Sequence, residues 1–143
     1  MPTLTSPDLV VRSALLAALR GHAPLMALVN RVEDGTPGQA AAPYVVLGES
    51  LGSDWGSKTA EGRELLLGLS FYVRSGDSIR VAAALRAAEL ALASLPREVE
   101  GWQIASARIV RTRIAGSAVL MKPPGWSALM DIRVRVMALG EAG

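Results

Sequence analysis

The chain has 143 residues, half of them apolar and a fifth charged, with a formal net charge of +2. That length suits one domain with its own core, and so small an excess of base gives no argument from charge alone for nucleic-acid binding. There is no cysteine and one histidine, His22, so disulfides, thiolate metal sites and cysteine nucleophiles are excluded, a zinc site would need carboxylates almost alone, and a Ser-His-Asp triad could use only His22.

The opening MPTLTSPDLVVR carries no basic leader before an apolar run and does not read as a signal peptide. Apolar runs elsewhere are broken well before the roughly 18 residues a membrane span needs. The lack of cysteine fits assembly in a reducing cytoplasm.

Ser6-Pro7-Asp8 starts a helix: a hydroxyl cap, a proline at the first helical position and an acid near the positive end of the dipole. It is expected to run to about Arg20 and stop at Gly21, with Val11, Leu15, Ala18 and Leu19 recurring at helical spacing. Pro24 restarts a short helix through about Val29. Asn30 to Glu33 reads as a short extended piece, Asp34-Gly35-Thr36-Pro37-Gly38 as a turn, and Gln39 to Pro43 as weakly structured.

Tyr44 to Glu49 reads as a strand whose continuous apolar run suggests cover on both faces. Glu64 to Arg74 reads as a central strand. Leu65, Leu67, Leu69, Phe71 and Val73 share one face, and Leu66, Gly68, Ser70 and Tyr72 the other. Between them, Ser50 to Arg63 is too long for a tight turn and is read as a hairpin arm reaching beyond the sheet, its bends permitted by Gly52, Gly56 and Gly62. Ser75-Gly76-Asp77-Ser78 caps a helix to about Leu95 with Val81, Leu85, Ala88, Leu92 and Leu95 on one face, and Pro96 stops it. Trp102 to about Ile114 reads as a third strand whose phase slips around Arg108-Ile109-Val110, as at a bulge. Gly116 to Gly125, with Pro123-Pro124, reads as a loop. Trp126 to Leu139 is the last strand, with Met130, Ile132, Val134 and Val136 inward and Asp131, Arg133 and Arg135 outward; Gly140 to Gly143 is expected to fray. The sum is a single α+β domain over residues 1–143: a two-layer sandwich of a mostly antiparallel four-stranded sheet, helices on one face and a long hairpin arm.

No catalytic constellation emerges. His22, between a glycine and a proline, reads as a surface or capping residue. Glu49, Asp54, Glu61 and Glu64 lack the D-x-D-x-D-G spacing of a calcium loop, and Gly56-Ser57-Lys58-Thr59 lacks the upstream glycine of a phosphate loop. Arg108, Arg111, Arg113, Arg133 and Arg135 form the main basic cluster, on two strands expected to pair. It would face DNA, an acidic partner or plain solvent. Trp55, in a polar glycine-rich stretch, is either an anchor for a partner subunit or a ring folded back on its own sheet.

Three groups of residues together resemble the tail-completion, or tail-terminator, family of tailed bacteriophages and gene transfer agents. They are Pro43-Tyr44-Val45-Val46-Leu47-Gly48-Glu49; Asp54-Trp55-Gly56-Ser57-Lys58-Thr59; and Gly62-Arg63-Glu64 with the strand ending Val73-Arg74-Ser75-Gly76. The opening helix, Arg31-Val32, the Asp34-Gly35 turn and the alanine-rich helix after Asp77 fit the same pattern, and Lys122 to Trp126 matches least. The resemblance implies a structural virion protein of the tail or neck, assembled in the host bacterial cytoplasm, without cofactor, metal or membrane. It implies a homo-oligomeric ring, commonly a hexamer, that caps the tail tube, ends tube polymerisation and joins a head-tail connector protein, with DNA passing through without sequence-specific binding. On that reading Asp54, Trp55, Lys58, Thr59, Glu61 and Arg63 of the arm contact a neighbouring subunit or the tube protein, and Arg111, Arg113, Arg133 and Arg135 face an interface or DNA. The alternatives are a DNA-binding accessory protein or another neck connector and, from a third class, a small hydrolase using His22 or the arm carboxylates.

Overall fold

The structure, a computed structural model, describes residues 5–36, 41–74, 76–117 and 125–140. Outside them lie Met1 to Leu4, the Pro37–Gly38 end of the expected turn with Gln39 and Ala40, Ser75, most of the expected Pro123-Pro124 loop, and the tail beyond Gly140.

Helix α1 (Pro7–Arg20) begins as its sequence dictates: Ser6 is extended and its hydroxyl accepts the Asp8 N–H at 3.3 Å. Its buried stripe holds Val10, Val11, Leu15, Leu16, Ala18 and Leu19. Helix α2 (Ala23–Met26) is a single turn, shorter than its apolar run suggests. Strands β1 (Val32–Asp34), β2 (Tyr44–Asp54) and β3 (Gly62–Arg74) follow, then α3 (Ser78–Ala91) with a 3-10 turn at Leu92–Ser94, and β4 (Glu98–Val99), β5 (Trp102–Ser117) and β6 (Gly125–Ala138).

The strands form one six-stranded sheet in the order β1-β2-β3-β6-β5-β4, curled into a half-barrel. β1 runs parallel to β2; the remaining neighbours are antiparallel. This corrects the expected four-stranded, mostly antiparallel sheet with a long arm. Of the two added strands, β1 overlaps the extended piece expected over Asn30 to Glu33, while β4 is two residues long, too short for any periodicity to reveal it. The arm does not form either. Leu51 to Asp54 pair with Leu66 to Arg63, and β3 is itself paired with β6 along its whole length, from Gly62–Met137 to Arg74–Gly125. Half of the supposed arm is therefore sheet, and the rest is the loop 55–61. β5 is also longer than expected, taking Gly116 and Ser117 from the supposed loop, and it carries irregularities between Ile104 and Ser106 and between Ile109 and Arg111.

One core joins α1, α3 and one sheet face. β3 contributes Leu65, Leu67, Leu69, Phe71 and Val73; β6 contributes Met130, Ile132, Val134 and Val136. Each such side chain contributes about 1.5–3 kcal/mol by leaving water. α3 meets this face through Val81, Ala84, Ala87, Ala88 and Ala91, while Leu85, Leu92 and Leu95 of its expected stripe are half-buried at the margin. Alanines bring a helix closer to a sheet than leucines do. Trp102 closes the far end, its indole N–H donating to the Thr5 carbonyl at 3.1 Å.

Candidate interaction surface

Loop 55–61 is built by local hydrogen bonds. The Asp54 carboxylate accepts the Gly56 N–H at 3.1 Å, Ser57 N–H donates to the Ala60 carbonyl at 2.8 Å, and Trp55 N–H donates to the Gly62 carbonyl at 3.1 Å. Glycine is required at both ends of this turn. A Cβ on Gly56 would stand 2.8 Å from the Ala60 carbonyl oxygen, and one on Gly62 would stand 2.9 Å from that of Trp55. The result displays Lys58, Thr59, Glu61 and the Asp54 side chain in solvent. Trp55 is half-buried, with the Arg135 guanidinium 5.4 Å from its ring centroid, a cation–π contact. Arg63 points elsewhere: it holds Asp8 of α1 at 3.4 Å and so ties the base of the loop to the helix layer.

The arginines lie on the sheet face away from the helices, because the registers place Glu64-Arg135-Ser106, Leu66-Arg133-Arg108, Gly68-Asp131-Arg111 and Ser70-Leu129-Arg113 in successive rows. Two of these cations are matched. Arg135 donates to Glu64 at 2.8 Å, and Arg111 donates to Asp131 through Nε at 2.9 Å and Nη2 at 2.6 Å. Arg108, Arg113 and Arg133 have no acid partner among the described residues. Arg108 and Arg133 stand directly opposite each other, an unfavourable like-charge pair, and the Arg133 Nε is buried without a hydrogen-bond partner. Beside them a groove of about 280 Å³ runs over Gly48, Leu51, Leu66, Gly68, Leu129 and Asp131. Sequence reasoning did not find this groove. Its signal was the small second face of the central strand, where Gly68 and Ser70 leave room.

Among the described residues no group of acids and histidine could hold a metal ion. His22 occupies the position before α2 but makes no capping bond, and its Nε2 is buried without a partner. Tyr44 and Tyr72 stack at 4.9 Å across β2 and β3. Burial first, and then the neighbouring Tyr72, push the Tyr44 phenol above its ordinary value. No helix among the described residues is long and apolar enough to cross a membrane.

The sequence model of the family described as "Tail completion protein gp17" matches residues 13–139. Among solved structures, the chain is similar to one in the virion of a native gene transfer agent particle, with a TM-score of 0.69 and 18% identity over 95% of this chain and 100% of that one. It is also similar to the gp17 protein of bacteriophage SPP1, with a TM-score of 0.51 and 19% identity over 100% of this chain and 99% of that one. No curated protein matches the sequence.

Proposed function

The chain belongs to the tail completion protein gp17 family, structural components of the tail or neck of phage and gene transfer agent virions, and we propose that it caps the end of the tail tube as a ring. In that role it stops tube polymerisation and offers the surface to which a head-tail connector protein docks. The observation that carries this reading is the family match, which runs from within α1 to the end of β6. Loop 55–61, with exposed Lys58, Thr59 and Glu61 and half-buried Trp55, together with exposed Asp54 at the end of β2, is the contact proposed for a neighbouring subunit or the tube. A ring of identical copies requires head-to-tail contacts that close; six is the proposed number. The reading is tested by deleting the gene and imaging particles: overlong or headless tails are expected, and head-bearing tails of normal length reject it.

A second reading draws on the unmatched Arg108, Arg113 and Arg133 on one sheet face, which suit a duplex or its phosphates. It predicts salt-sensitive retention of the purified protein on DNA that weakens when Arg113 and Arg133 are replaced by Ala. Retention absent at low salt removes it.

A further inference from the structure

The sheet has two edges, and each is covered only at one end. β1 pairs Val45 to Leu47 of β2, and Arg12 of α1 donates to the Leu47 and Gly48 carbonyls just beyond. From Ser50 to Asp54 the outer side of β2 has no partner among the described residues. At the opposite edge β4 pairs Trp102 and Gln103 of β5, the Ile104 N–H donates to the Arg97 carbonyl just beyond, and from Ala105 to Ser117 the outer side of β5 is likewise open.

The backbone direction at each edge can be read from individual bonds. Trp55 N–H donates inward to Gly62, so by strand alternation Asp54, Gly52 and Ser50 turn their N–H and C=O groups outward. On β5, Ile104 N–H donates outward to Arg97. Arg108 and Arg111 are aligned with β6 residues whose backbone faces β5, as the Leu139 N–H bond to Gly101 shows for that parity. Ala107 and Ile109 therefore turn outward. The two outward sets lie at matching heights. Ser50 aligns through Leu67 and Ile132 with Ile109, and Gly52 aligns through Leu65 and Val134 with Ala107.

Alternating strand direction across β2, β3, β6 and β5 leaves β2 and β5 running in opposite senses. A rotation about an axis along the strands thus brings β5 of one copy antiparallel to β2 of the next. No slide along the strands is needed, and the helix layers stay on one side. Charge and apolar surface agree with this match. Glu49 and Asp54 are exposed on the β2 edge; Arg108, Arg111 and Arg113 are exposed on the β5 edge. The large exposed apolar residues of the sheet, Leu51, Val110 and Ile114, all lie on these two strands. Long open edges with apolar residues are an aggregation hazard that folded proteins usually cover.

We infer that the occupant of each edge is a second copy of this chain: β5 of one subunit adds to Ser50–Asp54 of β2 in its neighbour, so that the sheet continues from subunit to subunit. This rests on the ring reading above and names its contact. Because the two edges differ, the contact is heterologous and propagates until the ring closes. Strand addition supplies main-chain hydrogen bonds, and the acidic and basic edges set which edge meets which.

The native chain has no cysteine, so an engineered pair would supply its only thiols. In the inferred register Leu51 lies opposite Arg108 of the neighbour as a non-hydrogen-bonded pair, a spacing of roughly 4.5 Å that a disulfide can bridge. The double variant Leu51→Cys with Arg108→Cys, oxidised in purified particles, is expected to give a ladder of covalent multiples of the chain that collapses to monomer on reduction. Each single variant should give no ladder. Monomer alone from the oxidised double variant, or a cross-link to a different protein, overturns the inference. If tails are then still of normal length and joined to heads, the ring reading survives that failure. Ser50→Pro gives a second readout, since it removes an outward N–H and no bond within the chain. It is expected to abolish assembly into particles while leaving the circular dichroism of the purified chain unchanged; assembly at the native level counts against the edge contact. The cysteine ladder decides the question whatever the fold of the proline variant.

Discussion

Asp131 is the one buried charged residue among those described, its side chain 11% exposed, while that of its partner Arg111 is 74% exposed. The asymmetry decides which half of the pair matters more. Arg111→Ala leaves a buried carboxylate without its donors and is expected to cost about 1–3 kcal/mol. Asp131→Ala leaves a guanidinium that water can solvate, so its cost is expected to be smaller, and the double variant should resemble Asp131→Ala. Urea midpoints of the three variants measure this, and a silent Arg111→Ala refutes it. Tyr44 supplies a pH prediction. Its phenol is raised from 10.0 by burial and by Tyr72, so the folded state holds that proton more tightly than the unfolded chain does. The stabilisation is therefore complete below about pH 10 and is lost as pH rises through the folded value. Tyr44→Phe is expected to flatten the alkaline fall in stability; an equal fall in both proteins rules the assignment out. These roles were partly legible. Alternation placed Asp131, Arg133 and Arg135 on one face of the last strand, but which arginine finds an acid depends on cross-strand neighbours that no local pattern reveals.

Elements with a long period were legible; of the short ones, only β1 was foreshadowed, by the extended reading of Asn30 to Glu33, and its pairing was not. α1, β3 and β6 carry their own signals, a cap with a helical stripe or a clean alternation of two, and the structure builds them within two residues of their expected ends. β1 and β4 owe their extended form to a neighbour's edge. Ser50 to Asp54 has the same origin: Ser, Leu, Gly, Ser and Asp have little strand preference of their own, and pairing with β3 overrides it. A Cβ on Gly52 would lie 2.6 Å from an Asp8 carboxylate oxygen, so that side chain would have to swing aside. The supposed loop residue Gly125 opens β6, where a Cβ would stand 2.0 Å from the Val73 carbonyl oxygen, part of a backbone that cannot move without parting β3 from β6. Gly125→Ala is therefore expected to destabilise the fold by about 1–3 kcal/mol, the usual range for forced overpacking. Thermal melts compare it with Gly116→Ala, whose Cβ would meet only the Trp126 ring at an ordinary 3.9 Å. Equal melting temperatures for the two variants would show that the strand ends part freely.

At the scale of the whole molecule the helices and the sheet share one core. Its members come from α1, α2, α3 and five of the six strands, so no group of elements can leave without exposing the others. Trp102 reinforces this by joining the start of β5 to the residue before the α1 cap, 97 positions earlier in the chain. A chain of this length with one connected core is expected to unfold in a single cooperative step. The three tryptophans make the expectation checkable, because they report from different places: Trp102 in the core, Trp55 in the loop after β2, and Trp126 at the start of β6. Fluorescence of variants retaining one tryptophan each should give the same urea midpoint as far-ultraviolet circular dichroism, with calorimetric and van't Hoff enthalpies in agreement. A separate, earlier transition reported by Trp55 would mean that the end of the sheet carrying loop 55–61 opens on its own. That outcome would separate this end of the sheet from the rest of the fold, and the loop would then order on meeting its partner. A single transition instead makes the loop and the open edge of β2 pre-formed surfaces, ready to bind without the entropy cost of ordering.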